Sequence, residues 1–418
     1  MPHFEEHRWT ADLAAFGGRK SRQSFVYRAF IPDRIGDVDF SLPVEVSAAM
    51  ADAERAVIGL NTNPPAFGSL EAVARRLLRA ESVASSRIEG LVMSQRRLAK
   101  AEFAGEDARD ETALSIVGNI RAMEDALALG ARAEPITVSA LLHLHQRLLA
   151  GGPHNDFAGK LREEQNWIGG ASSSPRDAEF VPPPHWYIRS LLEDLCVFLA
   201  REDLPATFQA AVAHAQFETI HPFADGNGRV GRALIHVVLR RGGVAEPFVP
   251  PVSVVLAANV RRYVDGLTGF REGRVSEWCE LFGRSLRDAA VASEELGGNL
   301  AALQEEWRVA AGNLRRTSAT QKLIQALGRR PIVDIRAAGE LVGVSYPQAR
   351  QAVLALEAAG VLRPVVVGRR RNRAWEAPQV ISLLDDFAFE AATPTRDGKP
   401  RRASPALRTE RASRTPPE

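Results

Sequence analysis

Three features of the sequence predict a mainly α chain that closes in a winged helix-turn-helix. Apolar residues recur at helical spacing through most of residues 42–290. One Gly-, Ser- and Pro-rich interruption, 159–184, departs from that period and reads as a β-hairpin. Beyond residue 317 the pattern shifts to short helices followed by two short strands. At 418 residues the chain exceeds what one hydrophobic core holds, so two or three domains are expected. Hydrophobic residues at 45% and charged ones at 25% exclude a fibre and a fully disordered chain. A net charge of +2 brings no overall bias toward nucleic acid. No apolar run reaches the roughly 18 residues of a membrane span, so no membrane partner is expected. Cys196 and Cys279 make neither a metal spacing nor a disulfide framework, and a reducing cytoplasm is the expected location.

The first forty residues hold no sustained period and read as an extended arm. A helix is expected from Leu42 to about Leu60, broken by Asn61-Thr62-Asn63-Pro64-Pro65. A second runs from Ser69, its N-cap, to about Arg87, with Leu70, Val73, Leu77 and Ala80 on one stripe. Helices follow at 112–130, 138–149, 186–201, 206–220, 229–240 and 276–290. The interruption carries Asn166-Trp167-Ile168-Gly169-Gly170, which suits a hairpin turn. Some 25 non-helical residues inside a helical domain usually serve function. The winged helix-turn-helix spans 315–380, with helices at 319–327, 334–342 and 346–359, and strands at 361–367 and near Ala374-Trp375. Its recognition helix would present Gln348, Arg350 and Gln351, and its wing turn Arg369, Arg370, Arg371 and Arg373. Arg-rich wings favour phosphate contacts, though many such modules bind protein. The tail 391–418 is Pro-, Ser-, Thr- and Arg-rich and reads as disordered.

The stretch most informative for function is His221-Pro222-Phe223-Ala224-Asp225-Gly226-Asn227-Gly228-Arg229-Val230-Gly231-Arg232. Pro222 prevents the preceding helix from continuing. Gly226-Asn227-Gly228 can adopt left-handed turns that direct backbone N–H groups inward as an anion nest. The next helix starts at once, so its positive end faces the same place. Arg229 and Arg232, three apart, share one helical face toward that anion. Asp225 is a hard oxygen ligand beside it, suited to Mg²⁺. His221 is a candidate general base, and Phe223 is assigned to packing. His143, His145, His214 and Glu218 read as structural.

This stretch matches every position of the Fic-family signature, His-x-Phe-x-Asp/Glu-Gly-Asn-Gly-Arg-x-x-Arg, and the chain thereby resembles Fic/Doc proteins of the Fido fold. The resemblance implies transfer of AMP from Mg-ATP to a Ser, Thr or Tyr hydroxyl of a protein. His221 would then deprotonate the hydroxyl, Asp225 would hold Mg²⁺, and Gly226, Asn227 and Gly228 would bind the α- and β-phosphates. Arg229 and Arg232 would take the outer phosphates, with Val230 and Gly231 completing the loop-to-helix segment. Residues 111–300 would be the catalytic domain and 1–110 the arm and N-terminal helical region. Ser85-Ser86-Arg87-Ile88-Glu89-Gly90 looks like the family's inhibitory helix, Ser/Thr-x-x-x-Glu-Gly/Asn. In such proteins that Glu pairs with the second arginine, here Glu89 with Arg232, in a two-point ion pair. Asn166, Trp167, Ile168 and Gly169 resemble the flap that lines a target peptide by strand addition. Tyr263 sits where relatives carry paired tyrosines near the adenine, but Val264 departs from that pair. The resemblance leaves open removal of AMP, or both activities. A nucleotide-sensing, DNA-binding regulator is the competing reading. Candidate partners are a protein substrate, this chain included, DNA through the winged helix, and a second copy in a homodimer.

Overall fold

Every residue of the helix α7 (Ala206–Ile220) is buried, and the other elements of the first core are arranged around it. Five alanines and no long charged side chain other than Glu218 let neighbours approach it from all sides. The computed structural model describes residues 2–10, 23–62, 70–104, 110–170, 174–312, 315, 317–367 and 373–390. Among them the chain is mostly helical, and no helix is long and apolar enough to cross a membrane.

Against expectation, the N-terminal arm is a hairpin: β1 (His3–Trp9) pairs antiparallel with β2 (Phe25–Ile31), His3 opposite Ile31 and Trp9 opposite Phe25. Alternating burial along most of β1 and the first half of β2 is the period-two pattern that a reading by helical spacing passes over. Next come α1 (Val44–Thr62), α2 (Leu70–Ile88), α3 (Gln95–Ala104), α4 (Glu111–Gly130), α5 (Val138–Leu149) and α6 (His185–Leu199). Asp110 caps α4 by accepting from Ala113 N, and Thr137 caps α5 by accepting from Ala140 N. Ser69, the expected cap of α2, lies outside the described residues. After α7 come α8 (Asn227–Arg241), α9 (Val252–Ala258), α10 (Val260–Arg271) and α11 (Val275–Ala310). Helices α3, α9 and α10 were not expected, and α11 runs twenty residues past the predicted end at 290. Its second half carries Leu296, Leu300, Leu303 and Trp307, all buried, to the C-terminal elements.

Those elements are α12 (Ala319–Leu327), β3 (Ile332–Val333), α13 (Ile335–Val342), α14 (Tyr346–Ala358), β4 (Arg363–Val365), β5 (Ala374–Glu376) and α15 (Pro378–Glu390). The three strands form one antiparallel sheet in the order β3-β5-β4. Their core is shared with α2. Val73, Leu77, Ala80 and Ala84 pack in the same cluster as Leu323, Val353, Leu356, Trp375 and Leu384. Arg76 of α2 donates to the Gly328 carbonyl, and Arg96 of α3 and Arg363 of β4 both pair with the buried carboxylate of Glu376. The helix that carries Ser85 and ends just before Glu89 is thus wedged between the two halves of the molecule.

Candidate active site

His221 ends α7 in the left-handed region, φ 50° and ψ 59°, an uncommon place for a residue with a side chain. Its N–H donates to Phe217 O at 2.9 Å, and its carbonyl accepts from Arg162 Nε at 2.9 Å. The Arg162 backbone N–H donates to Pro222 O, and its guanidinium also donates to the carbonyls of Glu164 and Pro183. One buried arginine therefore ties both ends of the 159–184 interruption to the histidine's backbone. Burial, together with the Arg162 and Arg271 guanidinium groups, pushes the His221 imidazole down to about 4, with Glu89 opposing. It is neutral near pH 7 and able to accept a proton.

The loop after it is closed by side chain–backbone hydrogen bonds. Asn227 Oδ1 accepts from Phe223 N and Asn227 Nδ2 donates to Phe223 O, both at 2.8 Å. Asn166 Nδ2 donates to the same carbonyl at 3.1 Å. Gly226, φ 82°, caps α8 with no side-chain hydrogen bond of its own, and a left-handed turn here favours glycine. The amides of Asn227, Gly228 and Arg229 begin the helix, where no intrahelical acceptor is available to them. Asp225 lies beside them with its carboxylate 2.9 Å from Arg229 NH2. His145 stacks on Phe223 at 3.7 Å and joins the Asp225 carbonyl at 3.0 Å. Because its Nδ1 accepts from Gly159 N, the proton of the neutral ring is assigned to Nε2.

From the other side comes the C-terminal end of α2. Arg232, 1% exposed, donates from Nε to Ser85 Oγ at 2.9 Å and from NH2 to Ser85 O at 2.8 Å. NH2 also donates to Glu89 Oε1 at 2.7 Å. The expected two-point ion pair is therefore a single charged contact, with Ser85 taking Nε and sharing NH2. Burial opposes the Arg232 charge, but Glu89, Tyr263 and Glu218 hold its pKa above the ordinary value. A Cβ at Gly228 would collide with Glu89 Oε1, so the carboxylate rests directly on the cradle and only glycine leaves room for it. Glu81, one helical turn before Ser85, accepts from Ser253 N at 2.8 Å and lies 3.0 Å from His236 Nε2. It holds α2 against α9 and α8.

Glu218, read from the sequence as structural, lies at the site. Its Oε2 is 4.0 Å from His221 Nδ1, and its buried Oε1 has no hydrogen-bond partner. Burial pushes its carboxyl up to about 7, with Arg232 and Arg271 opposing and Glu89 adding to the rise. The i, i+3 relation to His221 was a signal for this contact. Tyr263 is buried, with its hydroxyl 2.9 Å from His214 Nε2, under the signature helix. It makes a core contact with His214. Ile168 bridges Phe180, Gly169 turns with φ 74°, and Trp167 meets Trp9 of β1 edge-on at 5.5 Å. Gln348 Oε1 accepts from Ser345 N and Oγ, so its oxygen is committed to capping α14, whereas Arg350 is exposed. Arg373 pairs with Glu357 and lies over Trp375. Arg369, Arg370 and Arg371 lie outside the described residues.

Residues 135–239 match the Fic/DOC family and residues 47–128 the Fic/DOC family N-terminal region. Protein adenylyltransferase fic-1 of Caenorhabditis elegans is 29% identical over 120 residues, 28% of this chain and 22% of the relative. Protein adenylyltransferase Fic of Drosophila virilis is 29% identical over 212 residues, 47% of this chain and 41% of the relative. A probable protein adenylyltransferase of Aquifex aeolicus is 32% identical over 99 residues, 23% of this chain and 28% of the relative. The chain spans less than half the length of each of these proteins. A solved Fic family protein from Desulfovibrio desulfuricans is 19% identical, with a TM-score of 0.49, covering 81% of this chain and 97% of that one. Over residues 47–128 and 135–239, which carry Ser85, Glu89 and the cradle, the chain matches the Fic/DOC family.

Proposed function

We propose that the chain is a protein adenylyltransferase restrained by its own α2, moving AMP from ATP to a Ser, Thr or Tyr hydroxyl of a protein. The observation that carries this reading is the placement of a neutral His221 beside an amide cradle whose second arginine is held by Ser85 and Glu89. The first-turn amides of α8 would take phosphate oxygens, and Arg229 would add charge beside them. The imidazole of His221 would take the hydroxyl proton as that oxygen attacks the α-phosphorus. The α–β bridging P–O bond breaks, and pyrophosphate leaves with its electron pair. No group of three or more His, Cys, Asp or Glu among the described residues is placed to hold a metal. The one carboxylate of Asp225, 38% exposed, fits Mg²⁺ that keeps waters and takes other oxygens from the phosphates. Such an ion would neutralise phosphate charge.

With labelled ATP and Mg²⁺, wild type should self-modify weakly. Glu89→Gly should do so about 10–100-fold faster, the range of one buried charged hydrogen bond. Equal rates would remove the inhibitory role. In Glu89→Gly the acid limb of kcat/KM should lie at or below pH 4, since burial disfavours the imidazolium and the opposing carboxylate is gone. Below 6.5 the unfolded chain binds this proton first, so the stability tied to neutral His221 falls as pH drops from 6.5 toward 4. A limb near 6.5 would contradict the buried, neutral base.

A second reading, removal of AMP, is favoured by the Glu89 carboxylate, which is 38% exposed and acts on both His221 and Glu218. Release of AMP from an adenylylated protein by wild type but not by Glu89→Gly would support it. We read the C-terminal elements as a winged helix whose α14 meets DNA through Arg350. Arg350→Glu should then abolish a salt-dependent shift of duplex DNA.

A further inference from the structure

The buried helix α7 carries six polar side chains. Thr207, Gln209, His214, Gln216 and Thr219 each make a hydrogen bond. The sixth, Glu218, makes none among the described residues, and its Oε1 is buried. A buried carboxyl without a partner costs folding free energy, so an apolar residue at this position would be more stable. Room is nonetheless kept for it. A Cβ at Gly231 would collide with Glu218 Oε1, and Gly231 occupies one of the two unspecified positions between the signature arginines. One turn along α7, Nδ1 of His221 is likewise buried without a hydrogen-bond partner. Glu218 Oε2 lies 4.0 Å from that nitrogen. Two groups that each lack a partner are thus neighbours beside the cradle.

We propose that Glu218 is the positioning residue of the base: its carboxyl accepts the Nδ1 proton of His221 and leaves Nε2 bare toward the target hydroxyl. This role rests on the adenylyltransferase reading of the site. Closing the 4.0 Å separation to hydrogen-bond distance takes about 1 Å. The Glu218 backbone carbonyl, which also favours the protonated ring, can only accept, so the proton of the neutral imidazole is assigned to Nδ1. Burial and Glu89 push the Glu218 carboxyl up to about 7 against Arg232 and Arg271. Both of its protonation states keep an oxygen able to accept from an N–H, so the contact does not move the acid limb expected of His221. As the hydroxyl oxygen attacks the α-phosphorus, its proton passes to Nε2 while Nδ1 keeps its own. The imidazolium charge then forms beside the carboxyl. A neutral ring protonated at Nε2 would offer the hydroxyl no lone pair there.

The test is nitrogen-15 NMR of the full-length protein labelled at histidine, with the His221 signals identified by their loss in His221→Asn. Wild type near neutral pH should show His221 protonated at Nδ1. Glu218→Met, which removes both oxygens at similar side-chain length, should shift the ring toward the Nε2–H tautomer. In the Glu89→Gly background the same substitution should lower kcat by about 10-fold or more, the range for one charged hydrogen bond. KM for ATP should change by less than about three-fold. Glu218→Gln retains an acceptor oxygen and should restore most of that rate together with the Nδ1–H tautomer. A tautomer and kcat unchanged in Glu218→Met would leave the ring to the Glu218 carbonyl alone and overturn the proposal. So would a loss of rate in Glu218→Gln equal to that in Glu218→Met. If the Glu89→Gly parent transfers no AMP, the adenylyltransferase reading fails, and the NMR result still confirms or overturns the contact.

Discussion

Replacing His221 in a Glu89→Gly background is expected to lower AMP transfer by about 10²–10⁴-fold, the usual worth of a positioned general base. ATP affinity should change by no more than about three-fold, because the amides of α8 and Arg229 are left in place. The backbone matters to the choice of variant. His221 holds φ 50°, where alanine is strained by roughly 1–2 kcal/mol, whereas asparagine tolerates it. His221→Asn keeps the N–H to Phe217 and the carbonyl bonded to Arg162 while removing the base. Rates and nucleotide binding measured on both His221→Ala and His221→Asn separate chemistry from loop distortion. Transfer surviving within tenfold in both would show that another group, Glu218 being the nearest carboxylate, takes the proton.

Trp278→Ala is expected to cost about 3–5 kcal/mol, read as a lower urea midpoint at unchanged slope. The indole is fully buried, packs with His214, Tyr263 and Phe282, and donates to Ala211 O at 2.8 Å. It supports the His214–Tyr263 pair, whose hydroxyl lies under Arg232. Trp278→Phe keeps most of the volume and loses the N–H bond, so about 1–2 kcal/mol is expected. A loss below about 1 kcal/mol for the alanine variant would mean that this floor does not set the stability of the first core.

Local chemistry in the sequence was enough to locate the cradle. Pro222, Gly226, Gly228 and the helix that follows are consequences of backbone preference over a dozen residues, and the structure shows that helix starting two residues before the expected 229. The helix 138–149, capped by Thr137 and with a clear apolar stripe, was legible for the same reason. The hairpin of β1 and β2 was not, since strand pairing depends on partners 16 to 28 residues apart. Nor were α9, α10 and the second half of α11, whose apolar stripes become meaningful only against the helices that cover them.

Apart from the Glu89–Arg232 pair, which the family resemblance implied, contacts that join distant parts of the chain came from packing alone. Arg232 meets Ser85 across 147 positions, Arg162 reaches His221 across 59, and Arg76 meets Gly328 across 252. Nothing in the spacing of these residues encodes such distances. The same holds for burial, which makes His221 neutral and raises Glu218, because desolvation belongs to the surroundings and not to the residue. Residue order reveals which groups can do chemistry, and only the folded core sets their charge and the partners that restrain them.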